Sequence, residues 1–237
     1  FNDLTISRTA MSYCELHCCS AFSFLRAASR PEHLAKTAAN LQMPAMAICD
    51  RDGVYGAPLF FEGARENGIR PIVGAELTME DETILPLLVE NRTGYQNLCR
   101  LLTRAHLRSE KGQSRVDWAE LPEFAQGLVA LTGAEDGPLV TAVCNHRSKT
   151  SLSRSPLQVV EQLIRAFGRD NVFVEIQRHH HRAEEQFNKA LIEIAAQHHL
   201  PLLATNGVLY AEPNGRRVID VFTCIRNHTH LDAAGLL

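Results

Sequence analysis

Short apolar runs alternate with amphipathic stretches along the chain. "AMAIC" (Ala45–Cys49), "RPIVGAEL" (Arg70–Leu77), "ILPLLV" (Ile84–Val89), "GLVALT" (Gly127–Thr132), "VFVEIQ" (Val172–Gln177) and "PLLAT" (Pro201–Thr205) are brief, rich in branched aliphatics and bounded by turn-forming residues. Runs of this kind are the mark of buried strands. Helical patterns lie between them. Ser29 is placed to cap a helix with Pro31 in its first turn, and Leu34, Ala35, Ala38, Ala39 and Leu41 then form one apolar face. Asp52-Gly53 reads as a turn and cap for a helix over Val54–Asn67. From Arg182 to His199, the residues Phe187, Ala190, Leu191, Ile194 and Ala195 recur at helical spacing. Strand-helix alternation predicts a mostly parallel α/β sheet, open or closed into a barrel. One patch, "NHRSKTSLSRS" (Asn145–Ser155), is polar, basic and aperiodic, and predicts a surface loop.

Composition narrows the class of protein. The chain has 237 residues, 45% of them hydrophobic, enough for one large domain or two small ones. Its formal charge is −3 with both signs interspersed, so it lacks the basic footprint of a segment that grips a phosphate backbone. No apolar run approaches the ~20 residues that span a bilayer, and "FNDLTISRTA" lacks the layout of a signal peptide. Seven cysteines, several of them inside apolar strands, fit a reducing cytoplasm better than a disulfide framework.

In parallel α/β folds, functional side chains gather at the C-terminal ends of strands. The polar residues there are His17 with Cys18 and Cys19, Asp50-Arg51-Asp52, Glu76, His179 with His180 and His181, and Thr205-Asn206. Convergence of such donors from separate strands would assemble a catalytic divalent-metal site. Each also has a plainer reading. His17 reads as a satisfied core histidine, and Cys18 and Cys19 as small buried fillers facing opposite ways. Consecutive histidines at 179–181 project in different directions and do not readily share one ion. Asp220 lies late in the chain with nothing to decide its role. No P-loop, dinucleotide or nucleophile-elbow pattern occurs.

Several segments together carry a family resemblance. The stretch "ELHCCSAFSFLRAASRPEHLAKTAANLQMPAMAICDRDGVYGAPLFFEGARENGIRPIVGAEL" is joined by "LLVENRTGYQNLCRLLTRAHL", "FAQGLVALTG", "VFVEIQRH" and "LPLLATNGVLYAEPNGRRVIDVFTCI". They resemble, in order, the PHP (polymerase and histidinol phosphatase) domain of bacterial C-family DNA polymerases. Those are the polymerase III alpha subunits, and the likeness is greatest to their error-prone, damage-tolerant branch. The resemblance implies a distorted (β/α)7 barrel over residues 13–237 after an extension over residues 1–12, as the N-terminal part of a larger polymerase. It also implies a two- or three-metal cluster at one barrel mouth in metal-bearing relatives.

This chain departs from the family's ligand pattern. Where His-x-His is expected, His17 is present but Cys19 takes the second place, and Arg26 stands where a carboxylate should follow. Asp-His becomes Asp50-Arg51, Gly-x-Glu survives as Gly74-Ala75-Glu76, and Asn-Asp-x-His becomes Asn206-Gly207-Val208-Leu209. His179 matches a position near the family's pocket. An arginine does not lose its proton and repels a cation, and Gly207 and Leu209 offer no donor. Arg26 or Arg51 is therefore expected to pair with Glu76 in a charge-assisted contact.

Two functions follow from the resemblance. In the first, the domain carries no catalytic residue and no cofactor. It packs on the palm and thumb of the polymerase and stabilises it, meets DNA only through the parent enzyme, and has other translesion-synthesis proteins as further partners. In the alternative, a reduced site of His17, Cys19, Asp50, Glu76 and His179 holds zinc or manganese, and the domain is a metal-dependent phosphoesterase or proofreading-type nuclease.

Overall fold

The computed structural model describes residues 13–148 and 154–234, and within it every apolar run named above contains a strand. In chain order the elements are α1 (Pro31–Asn40), β1 (Ala45–Arg51), α2 (Ala57–Glu66), β2 (Arg70–Thr78), β3 (Ile84–Val89), α3 (Arg92–Arg108) and the one-turn α4 (Leu121–Phe124). Then come β4 (Leu128–Leu131), α5 (Pro138–Ser148), α6 (Pro156–Phe167), β5 (Val172–Ile176), α7 (Arg182–His198), β6 (Leu202–Ala204) and α8 (Gly215–Arg226). The extension expected over residues 1–12 lies outside the described residues. Among the described residues, no helix is long and apolar enough to cross a membrane.

The strands form one sheet in sequence order, β1 to β6. β1–β2, β4–β5 and β5–β6 pair in parallel, while β3 runs antiparallel to both neighbours. The reversal follows from chain length. Only Met79–Thr83 separates β2 from β3, too short for a crossover helix, so the chain turns back on itself. The sheet curls: residues 15–18 make a parallel bridge to Met46 of β1 and another to Val208, beyond β6. The largest apolar cluster lies under α3, α4 and α6, with Leu77, Leu87, Leu98, Leu101, Trp118 and Leu163 at its centre. A second cluster fixes α1 and α2 on β1 through Leu34, Ile48, Phe60 and Cys18.

Local expectations change in four places. Ser29 does not cap α1, which starts at Pro31 behind an extended Arg30 with no side-chain cap. The Ser29 hydroxyl accepts instead from the Ala211 amide at 2.8 Å, tying the start of α1 to the segment beyond β6. Leu41 is 64% exposed because the helix ends one residue earlier. Asp52 does not start α2. Its carboxylate accepts from the Thr78 amide and hydroxyl, both at 2.7 Å, and its own backbone is left-handed. Of the predicted loop, Asn145–Ser148 is the last turn of α5, and Ser155 caps α6 in a capping box with Gln158. Residues 149–153 lie outside the described residues.

Candidate functional site

The site grows from the register of β1 and β2. Arg51 and Glu76 are directly paired in the parallel ladder, so their side chains leave the sheet on the same face. Arg51 Nε donates to Glu76 Oε2 at 2.6 Å. His17 reaches the other oxygen, with Nε2 2.8 Å from Glu76 Oε1, while its Nδ1 lies 2.6 Å from Glu175 Oε1 in β5. Both carboxylates are nearly sealed from solvent. Burial opposes a charged imidazole, but Glu175 and Glu76 outweigh it and hold the His17 pKa well above its ordinary value. The ring is therefore an imidazolium donating from both nitrogens. Burial would raise the Glu76 pKa, yet His17 and Arg51 bring it down to about 2. Glu175 is lowered in the same way by His17, against its burial. The Glu175 oxygen that meets His17 also takes Gln177 Nε2 at 3.1 Å and the Thr205 hydroxyl.

This network forms the floor of a cavity of about 460 Å³. Of the sequence-predicted positions, His17, Cys19, Arg26 and Arg51 line it together with Glu76, Gly207 and Leu209. Asp50 and His179 do not. Asp50 precedes Arg51 in β1, so it faces the opposite way. There it accepts from the Ser20 amide and hydroxyl and the Ser23 hydroxyl, each at 2.8 Å, and from the Gly56 amide at 2.9 Å. Asp50, not Asp52, thus organises the start of α2 and the turn that carries Arg26. Burial pushes its pKa up despite these donors. His179 is paired with Glu184, Nδ1 to Oε1 at 2.8 Å, and its Nε2 lies 3.0 Å from the Asn206 carbonyl oxygen.

Of the two arginines expected as partners of Glu76, Arg51 makes the pair and Arg26 lines the cavity without it. Its side chain makes no hydrogen bond or ion pair among the described residues. Cys19 donates to the Cys49 carbonyl oxygen at 3.0 Å, and burial pushes its thiol pKa far up, so it stands as a thiol. Cys18 faces the other way into the core around Phe60, as strand alternation requires.

Sequence reasoning missed four participants. Glu175 left a signal as the lone acid in the apolar run "VFVEIQ". Glu15 is also buried, accepting from Tyr13 Oη at 2.7 Å, the His17 amide at 2.8 Å and the Asn206 amide at 3.0 Å. Arg226, just past the last segment that carries the family resemblance, at the end of α8, and Asp136, just before α5, also line the cavity.

A sheet whose strand ends gather histidine, carboxylates and their partners around one cavity is what a PHP domain presents. The PHP domain family model matches residues 15–179, and the chain belongs to that family. The chain is 35% identical over 240 residues to an error-prone DNA polymerase of Mycolicibacterium paratuberculosis, a match covering 96% of this chain and 22% of the relative. It is 32% identical to the DNA polymerase III subunit alpha of Caulobacter vibrioides, covering 87% of this chain and 18% of that protein. The chain thus spans about a fifth of the length of these relatives. Among solved structures, a protein of Bifidobacterium adolescentis described as a metal-dependent phosphoesterase superposes with a TM-score of 0.57 at 14% identity, over 90% of this chain and 96% of that one.

Proposed function

We propose that this chain is the PHP domain of an error-prone C-family DNA polymerase and serves it as a metal-free structural module rather than as a hydrolase. Similarity to error-prone polymerases over nearly the whole chain supports the parent assignment. In this reading residues 13–237 form one domain after a short extension. The segment 15–18 completes the circle of a (β/α)7-type barrel between β1 and the strand-like residues near Val208, and the two bridges support that closure. The partners are the palm and thumb of the polymerase, with other translesion-synthesis proteins beyond them, in the cytoplasm. Nucleotidyl transfer and DNA contact belong to the rest of that enzyme.

The observation that carries the metal-free reading is the closed His17–Glu76–Arg51 network. The two Glu76 oxygens and the two His17 nitrogens, donors a metal would need, are already engaged by protein partners. Asp50 faces away, the Cys19 thiol is protonated, and the guanidinium groups of Arg26, Arg51 and Arg226 bring positive charge to the cavity. Gly207 has a φ of +58°, and a Cβ there would lie 2.9 Å from Gln177 Nε2. The backbone at that former ligand position is now suited to glycine. These residues do not fit a divalent cation.

The test is elemental analysis of the purified chain after dialysis without chelator. Zinc and manganese far below one per chain are expected. About one tightly held ion per chain would overturn the reading and favour a reduced hydrolytic site built on His17 and Glu76.

A further inference from the structure

Away from the cavity, α8 presents an apolar stripe to solvent. Val218, Val221 and Ile225 follow helical spacing along one side and are 40%, 41% and 52% exposed. The single buried side chain of this helix is Cys224, with Ile219 and Phe222 half-buried. A helix of 12 residues is marginal in water on propensity alone and is held by packing of its apolar face. Here much of that face is wet. Arg226 Nη1 donates to the Leu25 carbonyl oxygen at 3.2 Å, which sets the Phe22–Arg26 turn beside the last turn of α8. On that turn Phe24 is 81% exposed, and Phe22 is exposed as well. Beyond α8 the chain folds back, the Thr229 amide donating to the Cys224 carbonyl oxygen at 2.9 Å, and Leu231 is again exposed. Large apolar side chains grouped in this way mark a surface built for contact.

We infer that α8 and the Phe22–Arg26 turn form the face on which this domain packs against the rest of its parent polymerase, meeting an apolar surface with an acidic edge. The inference rests on the polymerase-domain reading above and gives that domain its contact face. Relatives carry about four-fifths of their length outside the region this chain matches, since 22% of one and 18% of another are covered. Covalent attachment holds that remainder at high effective concentration beside this domain. Charge points the same way. Arg217 precedes Val221 by one helical turn and so edges the stripe. It is exposed, and its side chain makes no hydrogen bond or ion pair among the described residues. Asp220, the only acid of α8, is spaced onto the side away from the stripe. A second copy of this face would bring the same arginine edge and no acid of α8 to answer it, whereas an acidic-edged partner pairs with it. Nucleic acid fits less well, because valine and isoleucine offer bases no platform for stacking.

The experiment compares amide hydrogen exchange of α8 in the full-length parent polymerase and in the 237-residue chain alone. Covering the stripe suppresses local opening, so exchange should be slower by roughly tenfold or more in the parent. Val221→Asp should leave the melting temperature of the 237-residue chain unchanged, because that side chain is exposed, and should abolish the slowing in the parent. Ile225→Ser repeats the test on the same stripe with a milder change, and Arg217→Glu should reduce the slowing in part. Equal exchange in parent and isolated chain, or slowing that survives both stripe variants, would overturn the inference. So would protection of the isolated chain that grows with its concentration, which makes the occupant a second copy, or that needs a single-stranded oligonucleotide. Leu87→Ala, which loosens the buried core, separates this inference from the scaffolding reading. A parent polymerase whose other domains melt unchanged in Leu87→Ala overturns both. A parent destabilised by Leu87→Ala but untouched by the stripe variants overturns this inference alone.

Discussion

Replacing Glu76 by glutamine removes one charge from the centre of the site and nearly preserves its shape. In the native protein the carboxylate lies between an imidazolium at 2.8 Å and a guanidinium at 2.6 Å, with its side chain only 10% exposed. A carboxyl held at about 2 instead of its ordinary 4.5 is worth about 3 kcal/mol to folding, at ~1.36 kcal/mol per pH unit. That figure agrees with the ~3–5 kcal/mol typical of breaking a buried pair from one side. For a chain of this size it corresponds to a fall in melting temperature of roughly 6–12 °C. The pH dependence has a definite sign. Because the folded pKa is depressed, the Glu76 contribution is complete above about 4.5 and disappears as the pH falls towards 2. Urea unfolding of wild type and Glu76→Gln at pH 7 and at successively lower pH gives the difference directly. It should be near 3 kcal/mol at neutrality and shrink steadily below pH ~4.5. The His17 pKa should also fall in the variant, since one of its two carboxylates is gone, and histidine NMR titration reads that. A difference below about 1 kcal/mol at pH 7, the range of a solvated surface pair, would refute the buried network.

Asp50→Ala should destabilise by about 3–5 kcal/mol in denaturant unfolding, because it strips buried serine and backbone donors of their acceptor. Substitution of the neighbouring Asp52, which faces Thr78 instead, should leave the Ser20–Arg26 turn intact. Thiol labelling of the native chain near neutral pH should modify the exposed Cys144 first and leave Cys18, Cys19 and Cys49 protected until unfolding, since burial pushes all three thiols far above their ordinary pKa. Rapid native labelling of Cys19 would mean that it stands as a reactive thiolate.

Periodicity made the strands legible, because buried strands bounded by turn residues leave a local mark. The boundaries of α1 and α2 were less so. Ser29 and Asp52 have the right chemistry for capping, but tertiary partners, the Ala211 amide and Thr78, hold them elsewhere. The antiparallel β3 was legible in principle, since the short link Met79–Thr83 leaves no room for a helix. For the site, the chain's departures at Arg26, Arg51 and Gly207 were visible as residue types, and a pairing of Glu76 with Arg26 or Arg51 followed from them; the strand register decides for Arg51. The orientation of Asp50 was not visible in the motif. It depends on which of two adjacent strand residues faces the cavity, and a one-residue shift in that alternation exchanges their roles. Arg226 ends a helix whose sequence resembles the family without marking any site residue, and only the fold brings it to the cavity.

The substitutions also make electrostatic sense as a set. A metal site leaves a barrel mouth crowded with carboxylates whose charge the ions balance. Losing the ions without other change would bury uncompensated negative charge, at several kcal/mol per group. Here Glu76 and Glu175 remain at the strand ends, and His17 and Arg51 supply the positive charge between them. Arg51 does so from the position that faces Glu76 in the ladder. On the proposed reading, the guanidinium is the ion's replacement as a neutralising charge, and that keeps a carboxylate-lined mouth stable once hydrolysis is no longer its task. Arg26 is not needed for that balance, since Glu76 and Glu175 are already matched without it.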